Sequence, residues 1–500
     1  VRGGFAVGGL TNQSKATGND YFNISASSTA EIIKNESRVM WYPTKSALLA
    51  GNLNIPSADS VGQYSMSLGY QNISRGNWSQ AMGYKSVARG PYSTAIGYEA
   101  VADTSSFSFG YGSQALGFNS FAFGGRGVDA AGNVQSTVTT AKGKYSFAFG
   151  LGSVAKGLGS FVLGINCEAS GKFATATGFS SKATGLNSTS MGVNNESSGE
   201  VSFTLGSGNK ATAQYAFAFG ANNTANGIAS LALGLGNTIT TSGLYAIVGG
   251  TQNTAAGASS FAMGSYNNAT GDGSITVGTS NTSTGVNSAA FGEGNTSGGT
   301  NSFAIGTSTI ASSGNSLAMG NSSQANASNS LAMGNGAKTT GSNAIAAGYN
   351  TTAQAFASLV IGRYNTISGT TGSWVTSEPL FVAGNGSNAG SPSNAMVLYK
   401  NGNLNISGAL DLPIITVTAG TTLGASHHTV LVNSTTAIIA ITLPTASTCL
   451  GRTYIIKRLS SSYNVTINRS GTDTIDGATV QTLTSQYQKM VVQSDGSNWY

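Results

Sequence analysis

The stretch Ser316-Leu317-Ala318-Met319-Gly320-Asn321-Ser322-Ser323-Gln324-Ala325-Asn326-Ala327-Ser328-Asn329-Ser330-Leu331-Ala332-Met333-Gly334 decides the fold. It writes one pentapeptide twice, Ser-bulky-small-bulky-Gly, with the closing glycines 14 residues apart. The pentapeptide closes 21 times between Gly69 and Gly362, and 16 of the 20 intervals are 14 residues. Three intervals are 13 or 15, two of them flanking Gly249, and the one from Gly124 to Gly150 is 26. A fixed period of this kind marks a repeat architecture. A weaker glycine follows seven residues on, as at Gly76, Gly171 and Gly285. Period-2 alternation inside each run reads as strand, and the glycine ending it supplies a turn with positive φ. Each unit is therefore strand, turn, strand, turn. Stacked units make an all-β parallel solenoid of about 21 coils, each pairing with the next. At ~4.8 Å per coil this is a rod of roughly 100 Å.

The alternation also assigns faces. Two residues before the closing glycine stands Ala, Ser or Thr in 18 of the 21 copies. Fourteen residues enclose two short strands almost touching, so only small side chains fit inside. The residue next to the closing glycine is bulky: Phe109, Phe123, Phe149, Leu163, Phe219, Leu233, Phe291 and Met319 belong to this row. With Phe107, Phe121, Phe217 and Phe303 two positions earlier, it is expected to face outward. So long an apolar row exceeds what a monomer exposes, and predicts burial against other chains. A wider monomeric solenoid with the bulky row inside is the alternative, for which 14 residues per coil are too few.

Composition excludes other classes. Of 500 residues, 70 are Gly, 70 Ser, 55 Thr and 44 Asn, nearly half the chain, while only 8% are charged. Hydrophobic residues at 40% supply a core that a disordered chain lacks. Seven prolines without a Gly-X-Y period exclude collagen. No run of about 18 apolar residues offers direct membrane insertion as a helix. The net charge of +6 forms no basic block, so no nucleic acid is expected as partner. Residues 211–337 hold only Asp272 and Glu293 as charges. Cys167 and Cys449 suggest neither a disulfide framework nor metal spacing. The sequence opens at Val1 without an initiator Met or signal peptide and is read as a piece of a longer polypeptide.

Over residues 62–372 the pattern resembles the head repeats of trimeric autotransporter adhesins of the YadA type. That resemblance implies a left-handed parallel β-roll in which three chains pack around an axis. It makes the eight bulky residues trimer-core packing residues and the partner a homotrimer. The excess within 125–142, carrying Arg126, Asp129 and Lys142, departs from the pattern and reads as a side loop or hairpin.

The flanks lack the period. Residues 1–61 form a lead-in whose Met40-Trp41-Tyr42-Pro43 resembles lead-ins of viral and phage tail-fibre β-rolls. Residues 373–413, with Pro379–Asn385 and Met396–Leu404, resemble the connector after such rolls. In 414–500 charges return, and runs such as Thr429–Val432, Ala440–Pro444, Arg452–Lys457, Asn464–Ile467 and Lys489–Val492 read as strands of a small β-sandwich. Thr442-Leu443-Pro444, Thr474-Ile475-Asp476-Gly477 and Ser494–Tyr500 are similar to a module of phage and viral fibres.

No catalytic, metal or cofactor site is expected, and the chain is not read as an enzyme. His427 and His428 are adjacent in a Thr/Ser-rich turn, and Asp473 and Asp476 read as turn residues. An ice-binding face would need threonine at one fixed coil position, and no such column is read. Asn-X-Ser/Thr sequons number 19, against about 11 expected from composition. Candidate N-glycosylation sites on coil turns are Asn72, Asn77, Asn222, Asn268, Asn281, Asn295, Asn321 and Asn350. The sequence therefore points to an adhesive or structural segment of an elongated homotrimeric fibre, extracellular on a virion or cell surface. It would bind a host-surface receptor or glycan through the 125–142 loop and the 414–500 module. The virion or tail fibre follows from the flanks; a cellular adhesin, or a bare filament shaft, from the repeat alone.

Overall fold

The computed structural model describes residues 21–24 (backbone alone), 32–42 and 44–500. Pro43 and residues 1–20 and 25–31 of the lead-in lie outside the described residues. The described chain is strand and turn, with 3-10 turns at Ala58–Ser60 and Ala446–Thr448. It divides into a first unit ending at Asn405 and a second, Ile406–Tyr500.

In the first unit 21 coil strands, from Met66–Tyr70 to Leu359–Arg363, pair in parallel, each with the next. Glycine lies on glycine at each rung, as in Gly69↔Gly83 and Gly220↔Gly234. Twenty two-residue strands, from Ile73–Ser74 to Thr352–Ala353, form a second parallel ladder on the other side of the coils. The expected parallel solenoid is present, with its coil number. The first ladder belongs to a 28-stranded sheet whose remaining strands come from the flanks and one side hairpin.

Between the ladders lies an interior of small side chains. Ala81, Ala148, Ala218 and Ala304 on the long strands and Ala88, Ala155, Ala225 and Ala325 on the short ones are fully buried. The bulky row points away from them; Phe123 is 57% and Leu163 51% exposed.

One register differs from the expected reading. The rung after Gly234 is closed by Gly250, not Gly249. The two slips flanking Gly249 are thus a single two-residue insertion before it, in the turn after Thr238–Ile239, with a regular interval behind it. Gly249 itself falls in the bulky row, between Leu233 and Met263. There an added Cβ would lie 2.8 Å from the Met263 sulfur, so the methionine fills the missing side chain's place.

The half-repeat glycines also differ in role. Closing Gly220 has φ +110° as expected. Gly171 is outside the left-handed region; an added Cβ would lie 1.9 Å from the Gly185 carbonyl oxygen of the next coil. Close approach, not turn conformation, selects it.

A polar row completes the interior. Three residues after most closing glycines, and at Thr139 behind the hairpin, stands a buried side chain that donates to the next closing glycine's carbonyl. Ser153 Oγ reaches Gly164 O at 2.8 Å, Thr139 Oγ1 reaches Gly150 O at 2.6 Å, and Cys167 Sγ reaches Gly178 O at 3.2 Å. From Asn195 to Asn295 eight successive coils use asparagine. Asn223 Nδ2 donates to Phe219 O at 2.8 Å, Gly234 O at 2.6 Å and Asn209 Oδ1 at 3.1 Å. Thr309 ends the run, its hydroxyl donating to Asn295 Oδ1 at 2.6 Å. Ala100 and Ala337 occupy this row without a donor. Buried polar groups must be paired, and here the pairs run along the stack.

Both ends of the ladder are covered by antiparallel pairs. Ile33–Tyr42 pairs with Ala47–Ile55, which pairs in parallel with the first coil strand. Ile33, Met40, Tyr42, Leu49, Leu53 and Ile55 make its core. At the other end Pro379–Asn385 continues the ladder in register, Gly362↔Gly384, and pairs with Asn394–Tyr399. Such covers protect the edges of a repeat stack.

The second unit has two four-stranded sheets. Ile414–Val417, Thr429–Val432 and Thr453–Arg458 pair in parallel, with Lys489–Gln493 antiparallel at the edge. Thr421–Thr422, Ile439–Thr442 and Val465–Asn468 pair in parallel, with Val480–Leu483 antiparallel. All five expected strand runs are present. As far as Val465–Asn468 the chain nevertheless alternates between sheets strand by strand, so most pairing is parallel, unlike an immunoglobulin-type sandwich. Val430, Ile441, Tyr454, Ile456, Ile467 and Trp499 lie between the sheets.

Candidate functional site

The 12-residue excess between Gly124 and Gly150 is a hairpin. The strand starting at Phe121 overruns its rung to Val128 and turns back through Val134–Val138, with Arg126↔Val138 and Val128↔Val134. Asp129 shapes the tip: its Oδ1 accepts the backbone N–H of Ala131 and Asn133 at 2.9 and 2.8 Å, and its Oδ2 accepts Asn133 Nδ2 at 2.9 Å. These bonds, the Asn133 side chain first, hold its carboxyl below the usual carboxylate range. Residues 131–137 are exposed.

The hairpin is fastened to the coils beside it. A Cβ on Gly152 would lie 2.5 Å from the Gly127 Cα, so the two backbones touch as only glycines allow. Asn166 Nδ2 donates to Val128 O at 2.6 Å. The Arg126 guanidinium lies over the Tyr111 ring at 5.1 Å. Tyr111 is the last rung of a stack, Tyr70, Tyr84, Tyr98 and Tyr111, with ring centroids 4.6–4.9 Å apart and planes within 8°. Those rings cover one another's faces, so they act as cross-strand packing.

Between hairpin and coils is a cavity of about 420 Å³. Asp129, Ala130, Gln135 and Thr137 line it from the hairpin; Val154, Asn166, Glu168, Phe179 and Ser180 line it from the coils. Glu168 pairs with Lys156 at 2.5 Å. Cys167 also lines it, buried and donating; burial pushes its thiol pKa up.

The trimer-core candidates Phe109, Phe123, Phe149, Leu163, Phe219, Leu233, Phe291 and Met319 all sit on the outer side of the long ladder, none in the interior. They touch along it: Phe109–Phe123 ring centroids are 5.9 Å apart and Phe123–Phe149 6.2 Å.

The sequon candidates separate by burial. Asn222 and Asn321 are exposed; Asn77, Asn268 and Asn350 are half-buried. Asn72, Asn281 and Asn295 are buried rungs of the polar row. Asn281 Nδ2 is held by Val277 O and Gly292 O at 3.0 and 2.7 Å, Asn72 Nδ2 by Leu68 O and Gly83 O at 2.6 and 2.8 Å. Asn295 Nδ2 bonds Phe291 O and Gly306 O likewise, so a sugar on these three has no room in the folded coil. The signal was the fixed offset of three residues from the closing glycine. A threonine column also exists, contrary to the sequence reading. Thr224, Thr238, Thr254, Thr282 and Thr296 share the first short-strand position, interrupted by Asn268.

In the second unit His427 Nδ1 accepts the Gly424 N–H at 2.9 Å, and His428 Nδ1 lies 3.1 Å from Thr429 Oγ1. Asp473 Oδ2 accepts the Ala446 N–H at 2.7 Å. These groups serve turns.

The sequence model of the YadA head domain repeat (two copies) matches residues 81–100, 141–166, 169–199, 205–237, 283–309, 311–337 and 325–351. Each match falls on the paired ladders. These coils are YadA-type head repeats. The matches skip the hairpin, both flanks, the second unit and the coils of 101–140 and 238–282, so the YadA relationship speaks for the matched coils. No curated protein matched the chain in a sequence search.

Proposed function

We propose that the chain is the adhesive segment of an elongated extracellular fibre, assembled as a homotrimer of the autotransporter-adhesin kind and lacking enzymatic activity. The observation that carries this reading is the outward apolar row on a solenoid built of YadA-type head repeats. The coils spend their small residues on their own interior and leave Phe, Leu and Met for a neighbour. Three copies of one site would add avidity to weak single contacts. A second reading, a virion or tail fibre, is favoured by the lead-in and by the Thr442–Pro444 and Ser494–Tyr500 motifs of the second unit.

Light scattering of the native particle tests the assembly. About three times the 50.2 kDa chain mass is expected. A particle of one chain mass overturns the trimer. Serine at Phe203, Leu205, Phe217 and Phe219 together should return the particle to one chain. Sequencing the parent gene separates the readings: a downstream stalk and membrane barrel belong to a cellular adhesin, a virion-attachment segment to a viral fibre.

A further inference from the structure

We propose that the cavity beneath the 126–138 hairpin binds a neutral sugar residue of a surface glycan. This deepens the adhesin reading and rests on it. At about 420 Å³ the cavity lies within the range of small-ligand sites. It is held ready by the Gly127–Gly152 contact, the Asn166–Val128 bond and the Arg126–Tyr111 stack.

Its charge selects the ligand. Among the described residues no lysine or arginine lines it, so its lining offers no cation to a sialylated or sulfated group. Of its two carboxylates, Asp129 is spent on the hairpin tip and Glu168 is paired with Lys156. The remaining polar lining is Gln135, Thr137 and Ser180, an amide and two hydroxyls that each donate and accept, with the buried Cys167 thiol and the Asn166 amide, whose Nδ2 holds Val128 O and whose buried Oδ1 has no partner. A ring of hydroxyls is the complementary chemistry. Phe179 supplies the apolar wall. It stands in register between Ile165 and Val193, and among the described residues no aromatic ring stacks on it, unlike the tyrosine rungs. The flank that carries the cavity follows the closing glycines, whereas the apolar rows precede them, so trimer assembly and ligand entry use different sides of the coil.

A second cavity of about 410 Å³ on the same flank, lined by Lys338, Asn350, Tyr364 and Ile367, has a cation and no carboxylate. It serves as an internal control.

The test uses the full chain on a panel of neutral, sialylated and sulfated oligosaccharides, with saturation-transfer NMR on those retained. The expected result is retention of a neutral oligosaccharide. Phe179→Ala and Gln135→Ala should each weaken it about tenfold or more, and Ile367→Ala should leave it unchanged. Gln135 lies on the exposed hairpin, so its variant keeps the coils intact if Phe179→Ala does not fold. No neutral sugar retained at millimolar concentration, preference for the anionic sugars, or retention insensitive to both cleft variants overturns the proposal. Cell adhesion measured alongside separates the two readings. A chain that adheres undiminished by both variants sinks the cleft and keeps the adhesin. A chain that adheres to no cell sinks the adhesin reading, while the panel still judges the cleft.

Discussion

The second unit buries Trp499, Tyr454 and a cluster of Ile, Val and Leu between its sheets, whereas the coils of the first unit bury Ala, Ser and Asn. The contrast is one of span. Two sheets with a shared core leave room for large side chains, as Trp499 shows, fully buried with Nε1 donating to Pro444 O at 3.1 Å. A 14-residue coil leaves room mostly for a methyl or a hydroxymethyl, with Val162, Ile239 and Val248 its larger fully buried apolar side chains. Burial is worth about 0.8 kcal/mol per methylene, so each coil gains little from its interior. The coils depend instead on hydrogen bonds that run from rung to rung, and on covering their outer face.

The comparison can be broken in graded steps. Trp499→Ala should cost the second unit about 3–5 kcal/mol, the range for emptying a large aromatic site. Loss of amide-exchange protection at Ile441, Ile456 and Ile467 reads it; retained protection would remove the large-core half of the contrast. Asn253→Ala should cost about 1–3 kcal/mol, by removing the side-chain donor to Gly249 O and Gly264 O and the acceptor of the buried Asn267 N–H. Denaturant unfolding followed on the coils measures it, and a neutral result would show that the polar row carries no weight. Cys167→Ser keeps a donor to Gly178 O and should stay within about 0.5 kcal/mol of the parent, whereas Cys167→Val loses that bond and should not.

The smallest effect is at the hairpin tip. Asp129 has a lowered pKa when folded, so its contribution is complete above the ordinary carboxylate range and fades as pH falls through the lowered value. Exchange at the Ala131 and Asn133 amides should accelerate in acid beyond the intrinsic rate. Asp129→Asn should abolish that extra pH dependence; an unchanged profile would remove Asp129 as its source.

What the sequence disclosed follows from the same contrast. The coil is set by local alternation and a fixed period, so Ala218 inside and Phe219 outside could be read from neighbours in the chain. Gly249 and Gly250 are chemically identical, so only the pairing of Gly234 with one of them places the insertion. Asn281 and Asn295 looked like turn residues because their partners lie 11 and 14 positions away on adjacent coils. The parallel pairing of the second unit joins strands that are not successive, such as Thr429–Val432 and Thr453–Arg458, and strand spacing alone carries no such information. The 125–142 stretch was legible as an excursion, but the cavity beneath it depends on Gly127, Gly152 and Asn166 meeting across coils.

The polar row has a mechanical corollary. Coil strands run across the stack and their hydrogen bonds run along it. Tension between the capped ends therefore loads the rungs in series, and the solenoid peels one coil at a time instead of shearing as a sheet. The chain of asparagines from Asn195 to Asn295 ties eight coils into a stiff middle. Ala100 and Ala337 lie on either side of it, each where a rung has only its backbone bonds. Pulled from its ends, the solenoid should yield first outside the asparagine segment, at rungs such as Ala100, Ala337 and Thr351, whose hydroxyl is also unpartnered, extending in 14-residue steps while that segment holds.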